Sequence, residues 1–154
     1  MNLLLLLCLM NFGYADAQPK LNSVSFEELE AFQTIEERPV FVYLTAEWCK
    51  YCKNVEQTSF RDSEIVNLLN NEFYLVIFDI ETEETITFNG KEFRFKTTGL
   101  NTGVHELAEE LGTIDGVLNT PTFVILDAKH NSLFKYGGYM YSQQIKSLLM
   151  ISGK

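Results

Sequence analysis

Ala46-Glu47-Trp48-Cys49-Lys50-Tyr51-Cys52-Lys53 is the stretch on which the reading of this chain turns. Two cysteines three positions apart can shuttle electrons, hold a metal or staple a turn, and their surroundings choose among the three. Ahead of them, R-P-V-F-V-Y-L-T (38–45) is a run of β-branched and aromatic residues behind Pro39. Such a run predicts a buried strand from about Val40 to Thr45. Behind them, C-K-N-V-E-Q-T-S-F (52–60) continues without Gly or Pro, which predicts a helix starting near Cys49. The pair therefore sits at a strand-to-helix junction. Unpaired N–H groups and a macrodipole equivalent to roughly half a positive charge gather at a helix N-terminus and stabilise a thiolate there. Cys49 is accordingly the candidate nucleophile. Cys52 lies one helical turn along the same face, within reach of a mixed disulfide formed at Cys49, and is the candidate resolving thiol. Lys50 and Lys53 add positive charge, and Trp48 and Tyr51 shield the pair and offer flat apolar contact to a substrate chain.

The other two uses fit less well. A zinc site needs four ligands, and the remaining nitrogen ligands, His105 and His130, stand far off at spacings that match no finger pattern. Haem attachment requires a histidine directly after the second cysteine, where Lys53 stands. No metal or other cofactor is expected. A four-residue disulfide ring stabilises a fold only slightly, so stapling leaves the pair without a purpose.

The chain has 154 residues, 46% of them hydrophobic and 13% aromatic, enough apolar surface for one core and one domain. Its opening, M-N-L-L-L-L-L-C-L-M, is too short to span a bilayer, and Ala15 and Ala17 form an A-x-A signal before Gln18. Residues 1–17 are expected to be a cleaved leader, although no Lys or Arg precedes the apolar run. Residues 18–154 then form a single domain with its core over about 25–150. Export removes Cys8 and leaves only Cys49 and Cys52, whereas secreted domains stapled for stability carry several pairs. The net charge is −9, from 21 acidic and 12 basic residues, with no basic run. Nucleic acid and anionic membrane surfaces are poor partners for such a chain, and no stable membrane insertion is expected after cleavage.

Around the central stretch, Ser25 and Glu28 form a capping box ahead of Phe26, Leu29, Phe32 and Ile35 at helical spacing, predicting a helix to about Glu37. A further helix, S-E-I-V-N-L-L-N, is capped by Asp62 or Ser63, and residues 72–80 read as a second buried strand. Residues 81–103 are long for a structureless loop, and Asn89-Gly90 supplies a type I′ turn that pairs Phe88 with Lys91, Ile86 with Phe93 and Glu84 with Phe95. That inserted hairpin, around 84–95, has one apolar face and is expected to pack on the main domain without a part in recognition. Helical spacing resumes at Val104, Leu107, Ala108 and Leu111 up to Gly112, with His105 off the apolar stripe and exposed. T-P-T-F-V-I-L-D and S-L-F-K-Y predict an antiparallel hairpin, and Ser142 caps a last helix. The order predicts an α/β fold with a central mixed sheet flanked by helices.

At this point the chain resembles the thioredoxin fold over about Ser25 to Leu149, through A-E-W-C-x-x-C-K and the later T-P-T before a strand. The resemblance implies a redox-active disulfide between Cys49 and Cys52 and a cis Pro121 facing it. It also implies that Thr120 offers backbone groups to an extended substrate segment, a form of strand addition. C-K-N-V-E, T-S-F-R-D-S-E-I-V, F-N-G-K-E-F and G-V-H-E-L-A are similar to exported members, thioredoxin-related proteins of Bacteroidetes and the C-terminal domain of the membrane electron transporter DsbD. By that likeness Glu56 is a possible proton acceptor for Cys52. The family's usual buried Asp, six residues before the first cysteine, is replaced by Tyr43.

The function implied is an exported, periplasmic or secreted, thiol-disulfide oxidoreductase that reduces disulfides of substrate proteins and receives electrons from a membrane thiol donor. A disulfide oxidase or isomerase is the alternative within the same chemistry. A non-catalytic peptide-binding adaptor or chaperone, its cysteines permanently oxidised, is the alternative outside it.

Overall fold

The computed structural model describes residues 19–100 and 102–153, so the expected leader, its expected cleavage site and Cys8 lie outside the described residues. Helix α1 (Phe26–Ile35) leads into strand β1 (Val40–Thr45), helix α2 (Lys50–Gln57), a 3-10 turn (Ser59–Arg61), α3 (Ser63–Glu72) and β2 (Tyr74–Asp79). Two small hairpins follow, β3 (Ile86–Phe88) with β4 (Lys91–Phe93) and β5 (Phe95–Gly99) with β6 (Thr102–His105). The chain ends with α4 (Glu106–Gly112), β7 (Thr122–Leu126), β8 (Ser132–Gly137) and α5 (Ser142–Ser152). The main sheet has the order β2-β1-β7-β8. β1 runs parallel to β2 and antiparallel to β7, and β7 antiparallel to β8, which makes the sheet mixed. Among the described residues no helix is long and apolar enough to cross a membrane.

The central position of β1 explains its composition. A strand paired on both sides and covered on both faces has no solvent side to fill with polar residues, and Val40 through Leu44 are all fully buried. β7 shows the same pattern along its whole length. At the start of α1 the Ser25 hydroxyl accepts from the Glu28 N–H and the Glu28 carboxylate from the Ser25 N–H, the expected capping box. The helix stops at Ile35, short of Glu37, and only the first half of its apolar stripe is covered: Phe26 and Leu29 are buried, Phe32 and Ile35 exposed. The Asp62 side chain caps α3 by accepting from the Glu64 and Ile65 N–H groups. The cap of α5 is Tyr141 and not Ser142. Ser142 is the first helical residue, and its hydroxyl is engaged with that of Ser59 at 2.8 Å.

The insert begins as the sequence predicts. Asn89 and Gly90 have φ of 53° and 72°, the positive pair that a type I′ turn demands, and Phe88 faces Lys91 and Ile86 faces Phe93. Phe88 packs against Phe26 with ring centroids 4.9 Å apart and the planes tilted by 58°, so the hairpin covers α1 and extends the core. The expected pairing of Glu84 with Phe95 does not form. Phe95 leaves β4 and pairs with His105, opening the second hairpin, and Val104 and His105 are strand residues ahead of α4. His105 is buried, not exposed. Burial is tolerated because both ring nitrogens are occupied: Nδ1 accepts from the Leu107 N–H at 3.2 Å, and Nε2, which then carries the proton, donates to the Glu84 carbonyl at 2.9 Å. His105 is thus a structural joint between the insert and α4.

Candidate redox site

β1 delivers the chain into the site. Its last residue, Thr45, leads through Ala46, Glu47 and Trp48 to Cys49, whose N–H donates to the Ala46 carbonyl at 3.0 Å and closes a tight turn. Cys49 is the N-cap of α2, and Cys52 lies in its first turn. The two are joined by a disulfide, with Cα atoms 5.2 Å apart. The Cys52 N–H donates to Cys49 Sγ at 3.1 Å, so the first cysteine's sulfur occupies the place of an ordinary capping oxygen. That position exposes Sγ to the positive end of the helix, which favours the thiolate after reduction. Accessibility is unequal as well, at 3% for Cys49 and 0% for Cys52.

The strand register brings the second motif alongside. Thr122 pairs with Leu44, which carries Pro121 to the level of Thr45, next to the cysteine turn. The Thr120–Pro121 peptide bond is cis. This loop is fastened at both ends: the Pro121 carbonyl accepts from the Gly138 N–H at 2.8 Å, and the Thr122 hydroxyl donates to the Asn119 carbonyl at 2.7 Å. Thr120 is half-buried, and its own peptide groups have no backbone partner among the described residues.

Beneath the disulfide, the position that holds Asp in the family's usual pattern is filled by Tyr43. Its hydroxyl donates to the Cys52 carbonyl at 3.0 Å, and its ring packs on Phe60 at 4.9 Å and Phe123 at 5.4 Å. Burial, and after it the negative charge of Glu56, holds this phenol well above its ordinary pKa, so it remains a neutral donor. Glu56, one turn beyond Cys52, is half-buried and accepts from the Thr45 hydroxyl at 3.3 Å. It ties the end of β1 to α2 one turn beyond Cys52.

Two exposed aromatic groups flank the cysteines. Trp48 is 63% exposed, and its indole N–H donates to Glu81 Oε2 at 3.0 Å. Tyr51 is 66% exposed, lies 5.9 Å from the Tyr139 ring, and Tyr139 in turn meets Tyr141 at 5.1 Å. The tyrosine ladder is absent from the sequence-based expectations. Its signal was the run G-G-Y-M-Y (137–141) at the end of β8, whose relation to Tyr51 depends on the tertiary fold. His130 belongs to neither group, since it lies at the β7–β8 turn against Phe88 at 4.7 Å.

A strand, a CxxC pair capping the next helix and a cis-proline at the head of a neighbouring strand define a thioredoxin-like disulfide oxidoreductase fold. Residues 26–150 match the model of the thioredoxin-like domain, and the chain belongs to that family. No curated protein sequence matches it. Among solved structures, a thioredoxin from Thermus thermophilus is 23% identical with a TM-score of 0.60, covering 86% of this chain and 87% of its own. A DsbH oxidoreductase is 18% identical with a TM-score of 0.58 and covers 88% of each chain. A putative disulphide-isomerase from Bacteroides thetaiotaomicron is 19% identical with a TM-score of 0.58, covering 86% of this chain and 90% of its own. At these identities the likeness is one of fold.

Proposed function

We propose that the protein is an exported thiol-disulfide oxidoreductase that reduces disulfides in substrate proteins. The observation that carries the reading is the placement of the Cys49–Cys52 disulfide at the N-cap of α2, with Cys49 Sγ receiving the helix N–H. In the reduced protein the Cys49 thiolate attacks one sulfur of a substrate disulfide. A Cys49–substrate disulfide forms, and the other substrate sulfur leaves as a thiolate. Cys52, losing its proton, then attacks Cys49 Sγ, the second substrate thiolate departs, and the Cys49–Cys52 disulfide is restored. Two electrons pass to the substrate, which gains two protons. A dithiol donor must then reduce the Cys49–Cys52 disulfide and is itself oxidised to a disulfide, and outside the cytoplasm that donor is a membrane thiol transporter.

Thr120 and Pro121 hold the substrate segment in extended form through the free peptide groups of Thr120, with Trp48 and Tyr51 as its apolar shoulders. Glu56 accepts the Cys52 proton. Tyr43 cannot take that part, because its phenol stays protonated. Glu56→Gln is expected to slow turnover about tenfold or more near neutral pH, within the usual range for a lost general base. The deficit should shrink above the ordinary thiol pKa of about 8.5, where Cys52 ionises unaided. A pH-rate profile in which the Gln variant runs parallel to the parent at every pH would remove Glu56 from the mechanism.

The direction of transfer is tested by the reduction potential of the Cys49–Cys52 couple. A value near that of thioredoxin, about −270 mV, supports a reductase, whereas one near about −120 mV marks an oxidant. A couple that neither glutathione nor dithiothreitol reduces in the folded protein would favour the adaptor. On this reading residues 1–17 are removed from the exported protein. Intact-mass measurement of the exported protein should give a chain beginning at Gln18 and not at Met1.

A further inference from the structure

Beside the disulfide the second small hairpin encloses a cleft that the redox chemistry does not require. Its volume is about 500 Å3; Trp48, Glu81 and Thr120 line one side and Thr98, Thr102 and Gly103 the other. Trp48 directly precedes Cys49 and Thr120 directly precedes the cis-proline, so the cleft opens from the redox site itself. The β5–β6 arm that forms the far wall is firmly rooted. The His105 N–H donates to the Ile80 carbonyl at 2.7 Å, the Glu106 N–H to the Arg94 carbonyl at 3.0 Å, and Lys96 pairs with Glu109 at 2.5 Å. Beyond this root β5 is largely exposed and buries no apolar face. Gly103 keeps the two strands close, since a Cβ there would collide with the Phe95 ring and the Lys96 carbonyl. A rooted element with an exposed wall is built for contact with something outside the fold.

The charge of the cleft says what. No lysine or arginine lines it, and both charged residues that do, Glu81 and Glu109, are acidic. Lys96 answers the charge of Glu109. Glu81 has the Trp48 indole as its side-chain partner and no ion pair among the described residues, although that partner directly precedes Cys49. Glu83 joins Glu81, Thr102 and Gly103 around an adjoining cavity of about 460 Å3. We propose that the β5–β6 arm is a specificity element, which receives the part of an extended substrate chain next to its reacting cysteine and selects a lysine or arginine there through Glu81. This rests on the thiol-disulfide reading above and adds a substrate class to it. An extended chain advances about 3.3 Å per residue, so a side chain one or two residues from a cysteine held at Cys49 falls at the Trp48 lip.

The test uses the full chain and two peptides that differ only in the residues flanking a disulfide-linked cysteine, lysine in one and glutamate in the other. A partly exposed charge pair changes kcat/KM by about two- to fivefold, which is the preference expected for the lysine peptide. That preference should decline as salt is added. Glu81→Gln keeps the acceptor for Trp48 but removes the charge, and should bring the ratio close to one, mainly through KM. Thr98→Lys, on the opposite wall, should turn the preference toward the glutamate peptide. Equal rates for the two peptides with the parent protein, or a ratio unmoved in both variants, overturns the proposal. A small aromatic disulfide serves as the control for the underlying chemistry. If it is reduced while the peptides show no discrimination, the specificity element alone is wrong; if it is not reduced, the thiol-disulfide reading fails and the proposal with it.

Discussion

Cys52→Ala is expected to capture its substrate. The variant keeps Cys49 at the helix N-cap, so it still attacks a substrate disulfide, but the thiol that would displace the substrate from Cys49 is gone. A covalent complex should accumulate, visible as a mass shift equal to the bound substrate chain and reversed by dithiothreitol. Multiple turnover should fall to background. Cys49→Ala should lose turnover to the same extent yet form no complex, because Cys52 is fully buried and does not hold the helix N-cap position. The contrast between two variants with equal activity and opposite trapping is what separates the two roles. Equal trapping by both would mean that either sulfur can attack, and the asymmetry read from the geometry would be wrong.

Tyr43→Ala should cost about 3–5 kcal/mol, the usual range for deleting a large buried aromatic ring. In a domain of this size that corresponds to a fall in Tm of about 10–20 °C. The fully buried ring lies in the middle of the central strand against Phe60 and Phe123, so its loss leaves a cavity in the core. Tyr43→Phe keeps the packing and gives up only the hydrogen bond to the Cys52 carbonyl. Its cost should be about 1 kcal/mol, or slightly more because a buried acceptor loses its partner. If the Phe variant proved as unstable as the Ala variant, the hydroxyl and not the ring would be holding the site together. Differential scanning calorimetry of the two variants decides it.

The parts of the fold legible in the sequence were those with local or strictly periodic causes. β1 could be bounded at Val40 and Thr45 because a strand buried on both faces admits no polar residue, and Pro39 closes its start. The β3–β4 turn was legible because few pairs besides Asn-Gly accept positive φ twice in succession. The cysteine site could be placed at a helix N-cap from the strand-helix junction alone. β5 was not legible, because F-K-T-T-G buries no face and so shows none of the alternation by which a strand is recognised. Val104 and His105 then fell into a helical pattern that properly begins at Glu106. His105 was expected outside because it lies off the apolar stripe of the predicted helix, and its burial depends on a carbonyl 21 residues away, at Glu84. The cleft beside Trp48 escaped for the same reason, since Trp48 and Glu81 stand 33 residues apart and meet only after β2 has paired with β1. For His105 and the cleft the missing information was a long-range contact. Local preference carried no trace of it.

The central claim is that Cys49 attacks and Cys52 resolves, and rapid alkylation of the reduced protein tests it most directly. Reduced protein should be exposed briefly to iodoacetamide across a pH series, quenched, and mapped by mass spectrometry to find which cysteine carries the label. The helix N-terminus and the greater exposure of Cys49 predict that it reacts first, with an apparent pKa below the ordinary thiol value of about 8.5, while Cys52 remains unlabelled near neutrality. Labelling of Cys52 before Cys49 at neutral pH would contradict the account and reverse the two roles.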